Sequence, residues 1–231
     1  MVPPLCNAFD LDALRKQGAT PVFLIRHGET QWNRERRFLG RSDVPLNNTG
    51  QHQAQLLADR LRAVPFNHVY SSPLTRAVET AGGIGATHGL PVVRIPGLAE
   101  LDQGELEGKL AAALVEEYPA FFNAWRRDPT HARIPGGETL AECQARCVAA
   151  MHSVLREHTA SDTIAIVSHK VAISGIICDA IGLPPRFNMM VHQANTAINV
   201  LAWRQGQLTL VRLNDRRHLA ATAEQRAEPR R

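Results

Sequence analysis

The sequence predicts an α/β fold, a three-layer sandwich in which a mostly parallel central sheet is flanked by helices. Two continuous apolar runs, 21–25 and 163–167, are typical of strands that are buried on both faces. Segments with helical periodicity lie between the strand-like runs, and this alternation indicates a parallel-dominated sheet. A chain of 231 residues is long enough to bury a sizeable core as one domain.

The other strands are shorter. They are predicted at 68–71, 91–95, 198–203 and 207–213. The last two are expected to form an antiparallel pair that turns at Gln205-Gly206. A Gly- and Glu-rich loop is expected from 96 to 108.

Helices are predicted where apolar residues recur at helical spacing. The expected ranges are 50–64, 109–127 with an interruption near Pro119, a long helix after Gly137 and a helix that directly follows His169. Ser72-Pro73 predicts one more helix, with Ser72 as the N-cap and Pro73 as the first residue. Arg76 then falls in the first turn of that helix.

The charge is concentrated at the carboxyl terminus of the chain. The net charge is +4, and residues 216–231 hold five Arg against two Glu, which is +3. The rest is close to neutral, so the overall charge does not indicate a nucleic-acid partner. We predict a leader at 1–19, one domain at 20–219, and a basic, disordered tail at 220–231.

Cysteine usage and hydropathy bear on the location of the protein. The four Cys show neither a CxxC pair nor a zinc spacing, and Cys143 and Cys147 fall on the apolar face of the long helix. No signal-peptide pattern and no apolar run of about 20 residues is present. The sequence therefore predicts a cytoplasmic protein without a membrane partner.

Polar residues follow three predicted strands at the edge where ligands bind in such sheets. Arg26-His27, Ser72 with Arg76 behind it, and His169 are expected to share this rim. Two imidazoles and two guanidiniums favour a tetrahedral anion, because Arg presents a planar fork suited to phosphate oxygens. Neutral imidazole is also able to attack phosphorus and form a covalent intermediate.

Simpler interpretations of these residues stay open at this point. A His at a strand end is often structural, and a lone Arg is often a surface cation. A zinc site built on His27 and His169 would need further ligands, and no HExxH or comparable pattern is present.

A set of motifs runs in order from about residue 21 to residue 219. They are Leu24-Ile25-Arg26-His27-Gly28-Glu29-Thr30-x-x-Asn33, Gly40-x-x-Asp43-x-Pro45-Leu46 followed by Gly50, Ser71-Ser72-Pro73-Leu74-x-Arg76-Ala77-x-x-Thr80-Ala81, Leu98-x-Glu100-x-x-x-Gly104-x-x-Glu107-Gly108, Gly136-Gly137-Glu138-Thr139, Val167-Ser168-His169 and Asn214-Asp215-x-x-His218-Leu219. This ordered set resembles the histidine phosphatase superfamily, the group that includes cofactor-dependent phosphoglycerate mutase. A phosphoglycerate mutase-like fold is what the resemblance implies.

The resemblance also implies a role for each matching residue. His27 would be the phosphorylated nucleophile. Glu100 would be the general acid for the leaving oxygen and then the base for the attacking water. The groups that would hold the non-bridging oxygens are Arg26, Arg76 and His169, with Asn33 as a further contact. Spacing alone does not choose Glu100 over the neighbouring Glu105 and Glu107.

Two positions depart from the family pattern. Lys170 follows the second histidine where the family commonly has Gly, and Leu106 stands where many relatives have Trp. Lys170 either adds a cation to the rim, which would favour a more anionic substrate, or points away and starts the helix. Leu106 is expected to alter the pocket wall.

The activity that the resemblance implies is that of a histidine acid-type phosphatase. It would hydrolyse a small phosphorylated metabolite through a phosphohistidine, without cofactor or metal, as a monomer or homodimer. The alternative is a mutase, but the string Glu100-Leu101-Asp102-Gln103 lacks the Arg and Tyr of the mutases' Glu-Arg-x-Tyr, and the insert that follows is short. Two further functions stay open, a non-catalytic phospho-ligand module and a nucleic-acid binder that uses the basic tail.

The substrate itself is not predicted by these motifs. Specificity is expected to lie in a helical cap at about 109–133, which carries aromatic and basic residues. The aromatic residues Phe121, Phe122 and Trp125 either contact the substrate or pack the cap onto the sheet.

Overall fold

A computed structural model describes residues 11–220, and the predictions for residues 1–10 and 221–231 lie outside the described part of the chain. The helices are α1 (Leu11–Lys16), α2 (Gln31–Glu35), α3 (Asn48–Leu61), α4 (Thr75–His88), α5 (Ala111–Glu117), α6 (Pro119–Arg127), α7 (Leu140–Leu155) and α8 (Lys170–Ala180). The strands are β1 (Thr20–Arg26), β2 (His68–Ser71), β3 (Val92–Arg94), β4 (Ile164–Ser168), β5 (Ile198–Arg204) and β6 (Gln207–Asp215). Short 3₁₀ helices cover Pro96–Leu98, Gly104–Leu106 and Pro185–Met190.

The strands form a six-stranded sheet in the order β3-β2-β4-β1-β5-β6. Parallel pairing joins β1 to β4, β4 to β2, and β2 to β3. The last two strands extend the sheet beyond β1 in antiparallel pairing, and β5 and β6 form the predicted hairpin. The predicted α/β class with a mostly parallel central sheet is therefore confirmed.

Burial on both faces explains the continuous apolar run of strand β1, residues 21–25. Val22 and Leu24 face a core cluster that includes residues of α7 and α8. Phe23 and Ile25 point to the other face, into a cluster with residues of α3 and α4. Both faces are covered by helices, so alternation of apolar and polar side chains is lost.

Helix α7 begins with a reciprocal cap. Thr139 accepts a hydrogen bond from the backbone N–H of Glu142, and the Glu142 carboxylate accepts one from the Thr139 N–H. Cys143 and Cys147 are buried free thiols on its core face, as the sequence predicts.

The predicted cap of α4 is wrong. The helix begins at Thr75, and Ser72 lies two residues before its N-cap with its hydroxyl 2.6 Å from Nε2 of His169. Asp43, from a distant loop, accepts hydrogen bonds from the Thr75 N–H and hydroxyl at 2.7 and 2.8 Å. Arg76 is in the first turn, as expected. The Ser72 hydroxyl is directed at a tertiary partner, which overrides the local capping preference.

The cap region divides as the sequence predicts. Helices α5 and α6 are separated at Tyr118, and Pro119 is the first residue of α6, where its missing N–H is not needed. Helix α2 and the 3₁₀ helix at Pro185–Met190 were not predicted. Within residues 11–220, no helix combines the length and apolarity that crossing a membrane requires.

Candidate active site

Three neighbouring strands bring polar residues to the same edge of the sheet. His27 directly follows β1, His169 directly follows β4, and Ser72 directly follows β2. The imidazole rings of His27 and His169 have their centroids 5.1 Å apart. The strand ends therefore converge as the sequence predicts.

A pocket of about 410 Å³ opens at this edge. Four of the predicted site residues line it, namely Arg26, His27, Asn33 and Glu100. The other two, Arg76 and His169, are fully buried.

The ring of His27 has a defined orientation. Its Nδ1 lies 2.6 Å from the carbonyl oxygen of Gly28, which only accepts hydrogen bonds. Nδ1 therefore carries the proton in the neutral ring, and Nε2 keeps a free lone pair. Gly28 is required at this point, because a Cβ there would lie 2.6 Å from the carbonyl oxygen of Gly50.

The backbone around His27 is held by a loop that the sequence did not indicate. The His27 carbonyl accepts hydrogen bonds from the Thr196 N–H (3.2 Å) and from the side-chain amide of Asn195 (3.1 Å). Thr196 has φ of 52°, a strained value for a β-branched residue. A threonine gives no sequence signal for such a conformation, although its hydrogen bond to His218 at 3.0 Å links it to the C-terminal motif.

His169 is held by Ser72, with Nε2 and Oγ separated by 2.6 Å. Its Nδ1 is buried, and no atom of residues 11–220 forms a hydrogen bond with it. When the Ser72 hydroxyl donates to Nε2, the proton of the neutral ring sits on Nδ1. Nδ1 is then a buried donor free for a ligand.

The two guanidiniums are anchored by backbone oxygens. Arg26 donates to the carbonyl of Gln193 at 2.8 Å. Arg76 donates to the carbonyls of Gly40 and Ser42 at 2.7 and 2.8 Å. The Nε of each arginine is buried and has no hydrogen-bond partner in the described part of the chain. Buried unpaired donors are rare, so these atoms point to a ligand with several acceptor oxygens.

Burial and charge together set the protonation states at the site. Burial lowers the pKa of His27 well below its ordinary value, and Arg76 and Arg26 lower it further. Burial also lowers the pKa of His169, with Arg76 as the next cause. The pKa of each arginine is lowered to about 10 by burial, against an opposing effect of Glu100. At neutral pH both rings are therefore uncharged and both guanidiniums charged.

The structure separates the three glutamates that spacing could not distinguish. Glu100 lines the pocket, and its carboxylate accepts hydrogen bonds from the N–H groups of Val171 and Ala172 at the start of α8. Glu107 instead holds the backbone of residues 41–42. Glu105 is 3.4 Å from the Tyr118 hydroxyl. Of the three, Glu100 is the one that lines the pocket.

Asn33 and Lys170 also line the pocket. The Asn33 amide oxygen accepts from the Thr30 N–H at 3.2 Å in a capping box, so a contact to an anion would come from its amide nitrogen. Lys170 is the first residue of α8 and reaches the pocket as well. Lys170 therefore starts the helix without pointing away from the pocket, and burial and the nearby Arg26 lower its pKa.

This arrangement is built for an anion. Arg26 and Lys170 line the pocket together with His27, the charge of Arg76 also acts on His27, and the His169 ring centroid lies 5.1 Å from that of His27. A positive field of this kind repels a metal cation and attracts a phosphoryl group. The zinc alternative at His27 and His169 therefore finds no support in the surrounding charges.

Comparison with known proteins gives consistent results. A family model described as histidine phosphatase superfamily (branch 1) matches residues 22–216. A protein of Enterobacter sp. (strain 638) named as a probable phosphoglycerate mutase, GpmB, is 35% identical over 184 residues, which are 80% of this chain and 85% of that protein.

Solved structures show the same fold. The Bacillus stearothermophilus protein YhfR superposes with a TM-score of 0.81 at 29% identity and covers 87% of this chain and 100% of its own. The alpha-ribazole phosphatase from Shigella flexneri superposes with a TM-score of 0.77 at 31% identity, covering 85% of this chain and 96% of its own.

Proposed function

The chain belongs to branch 1 of the histidine phosphatase superfamily, and from that membership we propose that it hydrolyses a small phosphorylated metabolite through a phosphohistidine intermediate. In the first step Nε2 of His27 attacks phosphorus, a P–N bond forms and the P–O bond to the leaving group breaks. Glu100 gives its proton to the leaving oxygen. In the second step Glu100 takes a proton from water, the water oxygen bonds to phosphorus, and the P–N bond breaks to release phosphate.

One observation carries this proposal. Around the free Nε2 of His27, three buried donors have no partner within residues 11–220: Nε of Arg26, Nε of Arg76 and Nδ1 of His169. A phosphoryl group has three non-bridging oxygens that would satisfy them, with Asn33 as a further contact. Donors aimed in advance at the transferring group stabilise its transition state without reorganisation.

The pocket also suggests what the rest of the substrate looks like. A second cavity of about 120 Å³ shares four lining residues with the first, namely Phe38, Gln103, Val171 and Met189, and its other lining residues are apolar. Phe121, Phe122 and Trp125 line it while they also pack against the core, so the two alternatives for these rings are compatible. We infer a substrate that joins the phosphate to a group with an apolar or aromatic face.

Mutase activity is the second candidate, because the Enterobacter relative carries that name. Against it stands the string Glu100-Leu101-Asp102-Gln103, which lacks the Arg and Tyr typical of the mutases. The non-catalytic module is disfavoured because His27 and Glu100 are both present in the pocket. Classification as an acid phosphatase, the cytoplasmic location, and the monomeric or dimeric state stay predictions.

The decisive experiment measures inorganic phosphate released from a panel of phosphomonoesters with EDTA present. The panel would include alkyl and aromatic phosphates, phosphoserine and 3-phosphoglycerate. The wild type should release phosphate from some of them and prefer members with an apolar group. Acid-labile phosphate trapped on the wild type and missing from His27→Ala would identify the intermediate.

Two results would overturn the proposal. Interconversion of 2- and 3-phosphoglycerate that outruns phosphate release, with a bisphosphate primer added, would establish the mutase. Binding of phosphorylated ligands without any turnover across the panel would establish the binding module.

A further inference from the structure

A second histidine pair lies at the amino ends of the parallel strands, on the side of the sheet away from the pocket. His68 is the first residue of β2, His158 follows the end of α7, and Asp162 precedes β4. The catalytic pocket lies at the other ends of these strands. Because a strand rises about 3.3 Å per residue, Asp162 and His169 are on the order of 20 Å apart.

The three side chains present their ligand atoms to one point. Within residues 11–220, His68, His158 and Asp162 form the group of His, Cys, Asp and Glu side chains spaced to share a metal ion, with atoms within 4.8 Å of one another. Nε2 of His68 is 3.8 Å from Oδ1 of Asp162, and Nδ1 of His158 is 3.6 Å from Oδ2. Ligands at about 2.0–2.1 Å from a tetrahedral zinc ion are separated by about 3.3 Å, so the three ligand atoms would have to approach one another by about 1.5 Å at most.

Direct pairing explains these distances less well. A charge-assisted N–H···O hydrogen bond is about 2.7–2.9 Å long, so both histidine nitrogens stand too far from the carboxylate. The carboxylate already accepts from the Thr159 N–H at 2.9 Å and the Thr159 hydroxyl at 3.3 Å. The separations among the three side chains are longer than direct hydrogen bonds and leave room for an ion between them.

Neighbouring groups orient the ligands as in known metal sites. Nε2 of His158 is 2.8 Å from the Tyr70 hydroxyl, which leaves Nδ1 to face the carboxylate. Thr159 fixes the Asp162 carboxylate. The hydrogen bond at the far nitrogen of His158 sets the direction of its ring, and the bonds from Thr159 to Oδ2 set that of the carboxylate. The side chain of His158 is 5% exposed, that of Asp162 21% and that of His68 43%, so an ion could enter from solvent.

We propose that His68, His158 and Asp162 bind a divalent first-row transition ion, with Zn²⁺ as the preferred one. Two imidazoles and one carboxylate are the donor set that suits Zn²⁺, and water takes the fourth position. The ion would join the start of β2, the segment after α7 and the segment before β4. It stabilises the fold and takes no part in phosphoryl transfer, so this inference does not depend on the proposed activity.

The test uses full-length protein stripped with chelator and then dialysed free of it. Titration with Zn²⁺ should show binding at one site per chain that His68→Gln weakens by about tenfold or more, and Tyr70→Phe should weaken it less. At zinc concentrations near 100 times Kd, the unfolding midpoint of the wild type should rise by about 5–10 °C. Co²⁺ should give the intense visible absorption of a tetrahedral site.

Control variants test whether zinc binds at this site rather than at other histidines of the chain. His52→Gln removes an exposed histidine on α3 and should keep wild-type zinc binding. Asp162→Asn keeps the acceptor oxygen for Thr159 but loses the charge, so it should weaken zinc binding without lowering the midpoint of the metal-free protein by much. No zinc uptake by the wild type, or equal affinity and equal midpoint rise in wild type and His68→Gln, would overturn the proposal.

Discussion

The sheet carries one histidine pair beyond the carboxyl ends of its parallel strands and another at their amino ends, and the two pairs differ in their surroundings. At the carboxyl ends, His27 and His169 have ring centroids 5.1 Å apart and lie among Arg26, Arg76 and Lys170. At the amino ends, His68 and His158 have centroids 4.3 Å apart and face a carboxylate. The neighbours of a histidine pair, more than the pair itself, decide whether it suits an anion or a cation.

Hydrogen bonding reinforces this difference. Nδ1 of His27 donates to a carbonyl, which leaves Nε2 with a lone pair toward the pocket. Nε2 of His158 is engaged by Tyr70, which leaves Nδ1 toward Asp162. When Nε2–H of His158 donates to the Tyr70 oxygen, Nδ1 keeps its lone pair. Each pair then offers a lone pair, one inside a ring of positive charge and one beside a negative charge. The first arrangement suits a nucleophile for phosphorus, and the second suits a metal ligand.

The variant with the largest expected effect removes one histidine of the pocket pair and leaves the His68/His158 pair intact. His27→Ala should lower turnover by at least about three orders of magnitude, because the nucleophile is lost. His68→Gln, at the opposite edge, should keep wild-type turnover. Phosphate release by purified variants measures both. Substantial activity in His27→Ala would contradict the mechanism, and parallel loss in both would indicate damage to the fold.

A second variant tests the carboxylate beside the anion-binding pair. Glu100→Gln keeps the shape of the side chain but removes proton transfer. Turnover of alkyl phosphates should fall about 100-fold or more, and p-nitrophenyl phosphate, which needs little protonation, should lose less than about tenfold. Comparing kcat for the two substrates measures the effect. Equal losses would argue against an acid role for Glu100.

A third variant tests how the second ring of the pocket is oriented. Ser72→Ala removes the group 2.6 Å from Nε2 of His169 and should lower kcat about tenfold, the size of one buried hydrogen bond. Ser71→Ala is the matched control, since its buried hydroxyl bonds to a backbone carbonyl. If both serine variants lose activity equally, general disturbance of the loop is the better explanation.

A fourth variant tests a buried histidine outside the pocket. Burial lowers the pKa of His218 to about 4, against an opposing effect of Asp215 and with a further lowering by Arg60. The unfolded chain therefore binds more protons between pH 6.5 and about 4, so stability from this residue is lost as pH falls through that window. His218→Gln should flatten this loss by up to about 1.4 kcal/mol per pH unit.

Denaturant unfolding at several pH values measures that slope. His52→Gln, which removes an exposed histidine, should leave it unchanged. A slope in His218→Gln equal to that of the wild type would show that the buried ring does not discharge on folding.

Much of the architecture follows from the sequence, because its strongest signals are physical ones. The apolar runs of strands β1 and β4 are covered by helices on both faces. Pro119 marks the boundary between α5 and α6. The convergence of His27 and His169 follows from parallel strands whose carboxyl ends meet at one edge.

What the sequence could not predict depends on contacts between distant segments. The Ser72 hydroxyl pairs with His169, 97 positions away in the sequence. Asp43 caps the start of α4 in place of Ser72. The choice of Glu100 depends on the N–H groups that begin α8. The strained Thr196 carries no local signal.

The loop from Gly40 to Asp43 has a consequence for protein engineering. Arg76 donates hydrogen bonds to two carbonyls of this loop, and Glu107 accepts hydrogen bonds from two of its N–H groups. The Asp43 side chain accepts a hydrogen bond from the first N–H of α4. Nearly every polar group of the loop is therefore committed, and insertions or randomisation there would disconnect Arg76 from its anchor. Libraries aimed at a new substrate range belong in α6, whose side chains line the apolar cavity. Within residues 11–220, no hydrogen bond joins the predicted site residues to the backbone of α6.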